Sequence, residues 1–258
     1  MGELGNSQRW RAIDEKTLKG LFKKKVTALD AVDGILTLDK LVKTRDQEMP
    51  PDWTIYMRIF GAPLTTKTDL MLFLAQYGIG GLEPARIIGV ETDTIVDEKR
   101  WGTAKAWDRE EVSREVPPII YNLSRNKRLV ILEGVYSAVF HPLGLNFPVE
   151  GTDKRYSMDI EVKSVSDYSI RKKRAIRRDG NTFKITQWEE ILFYWVTPFD
   201  GRDMVISTDL AENAVLLEEK IGQLCTQKQI TEHQLTFLRA YKEFNMKMIE
   251  YFERRKTR

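Results

Sequence analysis

Six cations fall within eight residues at Arg171, Lys172, Lys173, Arg174, Arg177 and Arg178. The chemistry open to such a cluster is recognition of anions: the phosphates of RNA or of a nucleoprotein, the headgroups of an anionic membrane surface, or a nuclear import receptor. Asp179 and Gly180 follow at once, so the spacing predicts an exposed basic loop between strands. Between residues 154 and 178 nine bases face three acids, a local charge of +6. The whole 258-residue chain carries 41 Lys plus Arg against 38 Asp plus Glu, a net +3, so the local excess is masked by a nearly balanced remainder. Like charges packed this densely repel one another unless an anion joins them, which is why the cluster reads as a binding feature.

A second constellation is acidic. Glu161-Val162-Lys163, preceded by Pro148-Val149-Glu150 and Asp153, is similar to the PD-(D/E)xK pattern of metal-dependent nucleases. In that pattern two carboxylates hold a divalent ion and the lysine helps orient the attacking water. A half-exposed strand writes the same letters, because Asp159, Glu161 and Lys163 share one face at period two. The solvated strand is the expected reading and the nuclease is the alternative.

Other chemistry finds little support. One cysteine, Cys225, excludes an intramolecular disulfide, and two histidines, His141 and His233, leave too few ligands for a Cys/His zinc site. No segment fits GxxxxGK[ST], the glycines at 78, 80 and 81 do not make GxGxxG, and Gly134-Val135-Tyr136-Ser137-Ala138 lacks the second glycine of a nucleophile elbow. The expectation is therefore a chain with no assigned catalytic residue, no metal, no cofactor and no small-molecule substrate.

The elements that must position these residues follow from periodicity. Residues 1–49 are expected to form a mobile or helical N-terminal arm, ended by Pro50 and Pro51. A strand follows at 53–59, then a short apolar helix at 70–74 and a second strand at 86–90. Strands are also expected at 129–132, 135–140, 158–165, 182–186 and 191–196, with the alternation at 158–165 burying one face and wetting the other. From residue 210 the period changes. Leu210, Ala214, Leu217, Ile221 and Leu224 step by four and three, as do Phe237, Tyr241, Phe244, Met248 and Tyr251, and Thr231 with Gln234 is a capping-box signature between them. The fold class is α+β: a compact mixed β-sheet core with few helices over residues 50–200, then a C-terminal αα-hairpin over 201–258. Such a hairpin packs on the sheet or offers a seam for self-association. No apolar run approaches the length of a membrane span, residues 1–30 lack the core of a secretory signal, and Asn6 stands where a myristoylation signal has Ser or Thr.

The element order over residues 50–165, with Pro50-Pro51-Asp52-Trp53 before the first strand and a basic import-like cluster beyond it, resembles the matrix proteins of rhabdoviruses. In many of these a PPxY budding motif occupies the Pro50, Pro51, Trp53 position; here the fourth residue is Trp53 rather than tyrosine. The resemblance implies a non-enzymatic structural protein of the virion, peripheral to the membrane. It would bind RNA or nucleoprotein and anionic membrane through the basic loop, self-associate as a homo-oligomer, and reside in the host nucleus or cytoplasm rather than be secreted. A cellular RNA-binding module shares the same basic loop and is the further alternative.

Overall fold

The computed structural model describes residues 28–95, 118–134, 147–148, 155–156, 159–181 and 204–255. The expected strands at 135–140, 182–186 and 191–196 lie outside these residues, as do Glu150, Asp153 and His141. Five strands, β1 (Ile55–Phe60), β2 (Ile87–Glu91), β3 (Leu129–Glu133), β4 (Ile160–Val165) and β5 (Met204–Ser207), form one sheet in the order β2-β3-β1-β4-β5. A two-residue antiparallel ladder, Phe147–Pro148 with Arg155–Tyr156, stands apart from it. The chain is a compact α+β core closed by a C-terminal αα-hairpin, and the pairing anticipated as mixed is parallel throughout the five-stranded sheet.

Parallel pairing explains the sequence of the central strand. In Ile-Tyr-Met-Arg-Ile-Phe every residue of β1 is buried, as in a strand covered on both faces. Ile55, Met57 and Ile59 join Leu129, Ile131, Ile160, Val162, Met204 and Ile206 in one apolar cluster on one face. Tyr56, Arg58 and Phe60 point the other way. The Tyr56 hydroxyl meets the Ser124 hydroxyl at 3.2 Å, from the helical segment 118–124.

Among the described residues five longer helices accompany the sheet: α1 (Ala31–Glu48), α2 (Lys67–Tyr77), α3 (Tyr168–Asp179), α4 (Ala214–Thr226) and α5 (Glu232–Arg254). The arm expected over residues 1–49 is helical here from Ala31 to Glu48. Asp30 caps this helix by accepting from Val32 and Asp33 N–H at 2.9 and 3.0 Å, and Ala31, Val32, Ile35, Leu38 and Val42 lie in the central cluster. Its scattered charges are the solvent face of an amphipathic helix, not the mark of a loose segment. At its far end the Arg128 guanidinium donates to the carbonyls of Asp46, Met49, Pro50 and Trp53 and to the Asp46 carboxylate. Pro50 and Pro51 therefore sit in a turn fastened to the sheet, with Pro51 and the Trp53 side chain exposed.

The hairpin is likewise part of the core. The Thr231/Gln234 capping box starts α5 as the spacing requires. Leu217, Ile221 and Leu224 of α4 and Phe237, Leu238 and Tyr241 of α5 belong to the same cluster as the sheet, and the Phe73 ring of α2 meets Phe237 and Tyr241 at 5.1 Å each. β5, which lies beyond residue 200, is a strand of the same sheet.

Candidate phosphate-binding site

In open α/β sheets a crevice forms beyond the carboxyl ends of the strands, where the chain turns from one side of the sheet to the other. Here that place is the end of β1: the chain builds β2 and β3 on one side of it, then crosses to β4 and β5 on the other. A cavity of about 530 Å³ opens there, between the loop after β1, the start of α2, α3 and the last turns of α5.

The loop runs from Gly61 to Thr66. A Cβ on Gly61 would stand 2.1 Å from the Ser164 carbonyl oxygen, and its φ of +150° lies in a region that side chains avoid, so the chain can leave β1 here only through glycine. Leu64 and Thr66 adopt φ of 65° and 54°, which curls the backbone; for β-branched Thr66 this is a strained conformation. The loop carbonyls are held from behind. Thr65 Oγ1 and Lys67 Nζ donate to the Ala62 carbonyl at 2.9 and 3.0 Å, and Arg174 Nη1 donates to that of Leu64 at 2.9 Å. Ser164 Oγ and Thr208 Oγ1 donate to the Thr65 carbonyl at 2.6 and 3.1 Å. In a trans peptide the N–H opposes the C=O, so tying the carbonyls of Leu64 and Thr65 aims the N–H groups of Thr65 and Thr66 the other way. From Leu64 to Asp69 no backbone N–H donates to an acceptor among the described residues. Such a row of donors, continued by the N-terminus of an eleven-residue helix, is where backbone binds phosphate.

Side chains of matching chemistry surround it. Lys67 and Thr68 open α2, and Thr68 Oγ1 donates to Glu133 Oε2 at 3.0 Å. Glu133, buried at the end of β3, also stands 3.8 Å from Lys67 Nζ. Its backbone carbonyl accepts from Thr92 Oγ1 at 2.7 Å, which fixes the strand end. The spacing Gly61…Lys67-Thr68 is that of GxxxxGK[ST] with Thr66 in place of the second glycine, and it joins a strand to a helix as that motif does. The sequence pattern fails at one letter, yet Thr66 takes the left-handed conformation for which glycine is used. The signal that could have found the loop was a Lys-Thr pair opening a helix six residues after a strand-ending glycine.

The basic cluster is helical, not a loop. Asp167 caps α3 by accepting from Ser169 N–H at 2.8 Å, and Gly180 ends it at φ 74°. Arg171 and Arg174 are buried, Arg177 is half-buried, and Lys172, Lys173 and Arg178 are exposed. Dense charge ordinarily marks a solvated segment, but a guanidinium can be buried where a fork of acceptors receives it. Arg174 has such a fork: besides Leu64 it donates to the Thr208 carbonyl at 2.9 Å, the Thr208 and Ser166 hydroxyls, and Glu212 Oε1 at 2.6 Å. Arg177 reaches Glu212 Oε2 at 2.9 Å. Burial pushes the Glu212 carboxyl up, but these two arginines outweigh it and hold it below the usual carboxylate range. Arg174, Arg177 and Arg178 line the cavity, whereas Lys172 and Lys173 do not. Asp69, in the first turn of α2, lines it too. Burial raises its pKa to about 6, against the opposing pull of Arg174 and Arg178.

The acidic constellation takes a structural place. Arg58 and Glu161 lie side by side in register on β1 and β4, both buried, and the Arg58 guanidinium donates to Glu161 Oε1. The guanidinium also lies 5.0 Å from the Phe60 ring centroid, and burial lowers its pKa to about 10 despite the Glu161 charge. The wet strand face expected at 159–163 is thus corrected: the charges alternate because one buried acid meets one buried base. No family model and no curated protein sequence matches the chain.

Proposed function

We propose that the chain binds the polyphosphate of a nucleoside triphosphate together with Mg²⁺. The observation that carries this reading is the Thr68–Glu133 hydrogen bond, at the start of the helix that follows a loop of unanswered N–H donors. In this account the N–H groups of residues 64–69 receive phosphate oxygens, and Lys67 turns from the Ala62 carbonyl to add a point charge. The Thr68 hydroxyl and Glu133 carboxylate suit a hard cation that takes oxygen ligands from one or two side chains and completes its shell with substrate phosphates and water. Mg²⁺ bound there would neutralise charge on the phosphates. Arg177 and Arg178, across the cavity, would face the phosphates from the other side. The proposal departs from the expectation of no small-molecule ligand. Removing the hydroxyl in Thr68→Ala should cost triphosphate affinity about tenfold in Mg²⁺ and far less in EDTA, measured by calorimetric titration. Equal losses in both media would refute the metal role.

A second reading keeps an assembly role on anionic surfaces, whether membrane or nucleoprotein. It is supported by the exposure of Lys172 and Lys173, which point away from the cavity, beside half-exposed Tyr168 and Ile176. Salt-sensitive co-sedimentation with RNA or anionic vesicles, lost on neutralising Lys172 and Lys173 alone, tests it.

A further inference from the structure

The cavity has two unlike walls. One is the phosphate loop with Lys67 and the arginines of α3; the other is the end of α5, where Met248, Ile249, Tyr251 and Phe252 face it together with Leu72 of α2. Tyr251 is 52% exposed, whereas Phe237 and Tyr241 of the same helix are buried. The Phe252 ring meets it edge-on, with centroids 5.3 Å apart and planes at 71°, and the Arg255 guanidinium lies 5.8 Å from its centroid. The wall is fixed in position. Arg177, already paired with Glu212, stands 3.7 Å from Glu253, and α5 is anchored on Phe73 through Phe237 and Tyr241. Bare phosphates would occupy only the charged wall and leave this aromatic surface wet. A ligand with an anionic end and a planar, apolar end matches both.

Building on the phosphate-loop reading, we propose that the last turns of α5 bind the nucleobase of the same nucleotide, with Tyr251 and Phe252 as its stacking surface. The C-terminal hairpin thereby has a second role: besides completing the core, it supplies the selective half of the site. Every base offers a π-face, so stacking gives affinity, while the identity of the base must come from polar groups along the wall.

The test compares inorganic tripolyphosphate with each of the four ribonucleoside triphosphates, in Mg²⁺, by calorimetric titration of the full chain. At least one nucleotide should bind wild type more tightly than tripolyphosphate does. Tyr251→Ala and Phe252→Ala should weaken that nucleotide by about tenfold to a hundredfold and leave tripolyphosphate unchanged. Tyr251→Phe, which keeps the ring and the packing, should retain nucleotide affinity and guards against a folding defect in the alanine variants. If no nucleotide binds more tightly than tripolyphosphate, or the alanine variants do not discriminate, the base site is overturned and the phosphate loop stands. If tripolyphosphate and all four nucleotides fail to bind, the phosphate loop falls, and the base site with it.

Discussion

Asp69 has neighbours of both signs in the cavity, Arg174, Arg178 and Lys67 on one hand and Glu212 on the other, and burial decides its titration near pH 6. The sign of the consequence is definite. A carboxyl whose pKa is raised on folding penalises the native state above its unfolded value near 3.8, and the penalty grows until pH passes about 6. Glu212 runs the opposite way, its contribution being present above its unfolded pKa and lost only as pH falls through its depressed folded value. Between pH 7 and 5 Asp69 changes state while Glu212 stays ionised, and protonation of Asp69 removes a negative charge beside the proposed phosphate position. Tripolyphosphate affinity relative to Asp69→Asn should therefore rise as pH falls from 7 to 5.5, a ratio in which protonation of the ligand cancels. A flat ratio across that range would show that Asp69 does not sense the bound anion. At this scale the sequence was least informative: Lys67 and Thr68 were in plain view, but one threonine in a glycine position hid the pattern, and only the left-handed φ of Thr66 reveals the equivalence.

At the scale of the element, α3 holds the loop in place. Arg174 joins four segments: the loop through Leu64, the end of β4 through Ser166, the turn after β5 through Thr208, and the following 3₁₀ turn through Glu212. Removing it leaves Glu212 without its closest partner and several buried acceptors unanswered. Arg174→Ala should cost about 3–5 kcal/mol in urea unfolding. Arg174→Lys, which keeps the charge but not the fork, should recover only a minor part of that. Full recovery by lysine would mean that charge alone matters here. The six cations read as an anion-binding signal in the sequence; three of them, Arg174, Arg177 and Arg178, line the cavity, the first two paired with Glu212. What periodicity did not convey is that Arg171 and Arg174 point inward, because a charged heptad carries no apolar stripe by which to recognise a buried helical face.

For the whole molecule, the α+β class, the strands at 55–60, 87–91, 129–133 and 160–165 and the terminal hairpin follow from apolar runs and caps that act locally. Parallel order and the burial of both sheet faces depend on long-range connections, and no local period encodes them. Glu161 shows the consequence. Read as a wet strand position or a metal ligand it would be dispensable for folding, whereas as the partner of buried Arg58 it is not. Glu161→Ala should lower stability by about 3–5 kcal/mol, seen as a fall in the denaturation midpoint, since it strands a buried cation. A near-neutral effect would return Glu161 to the surface. The central claim, that this sheet presents a phosphate loop at its switch point, is tested most directly by titrating the full chain with inorganic tripolyphosphate, wild type against Lys67→Ala, with thermal unfolding of both. Saturable binding by wild type, weakened at least about tenfold in a variant that unfolds cooperatively, is the expected result. Equal affinities in the two proteins, or no binding by wild type, would contradict it.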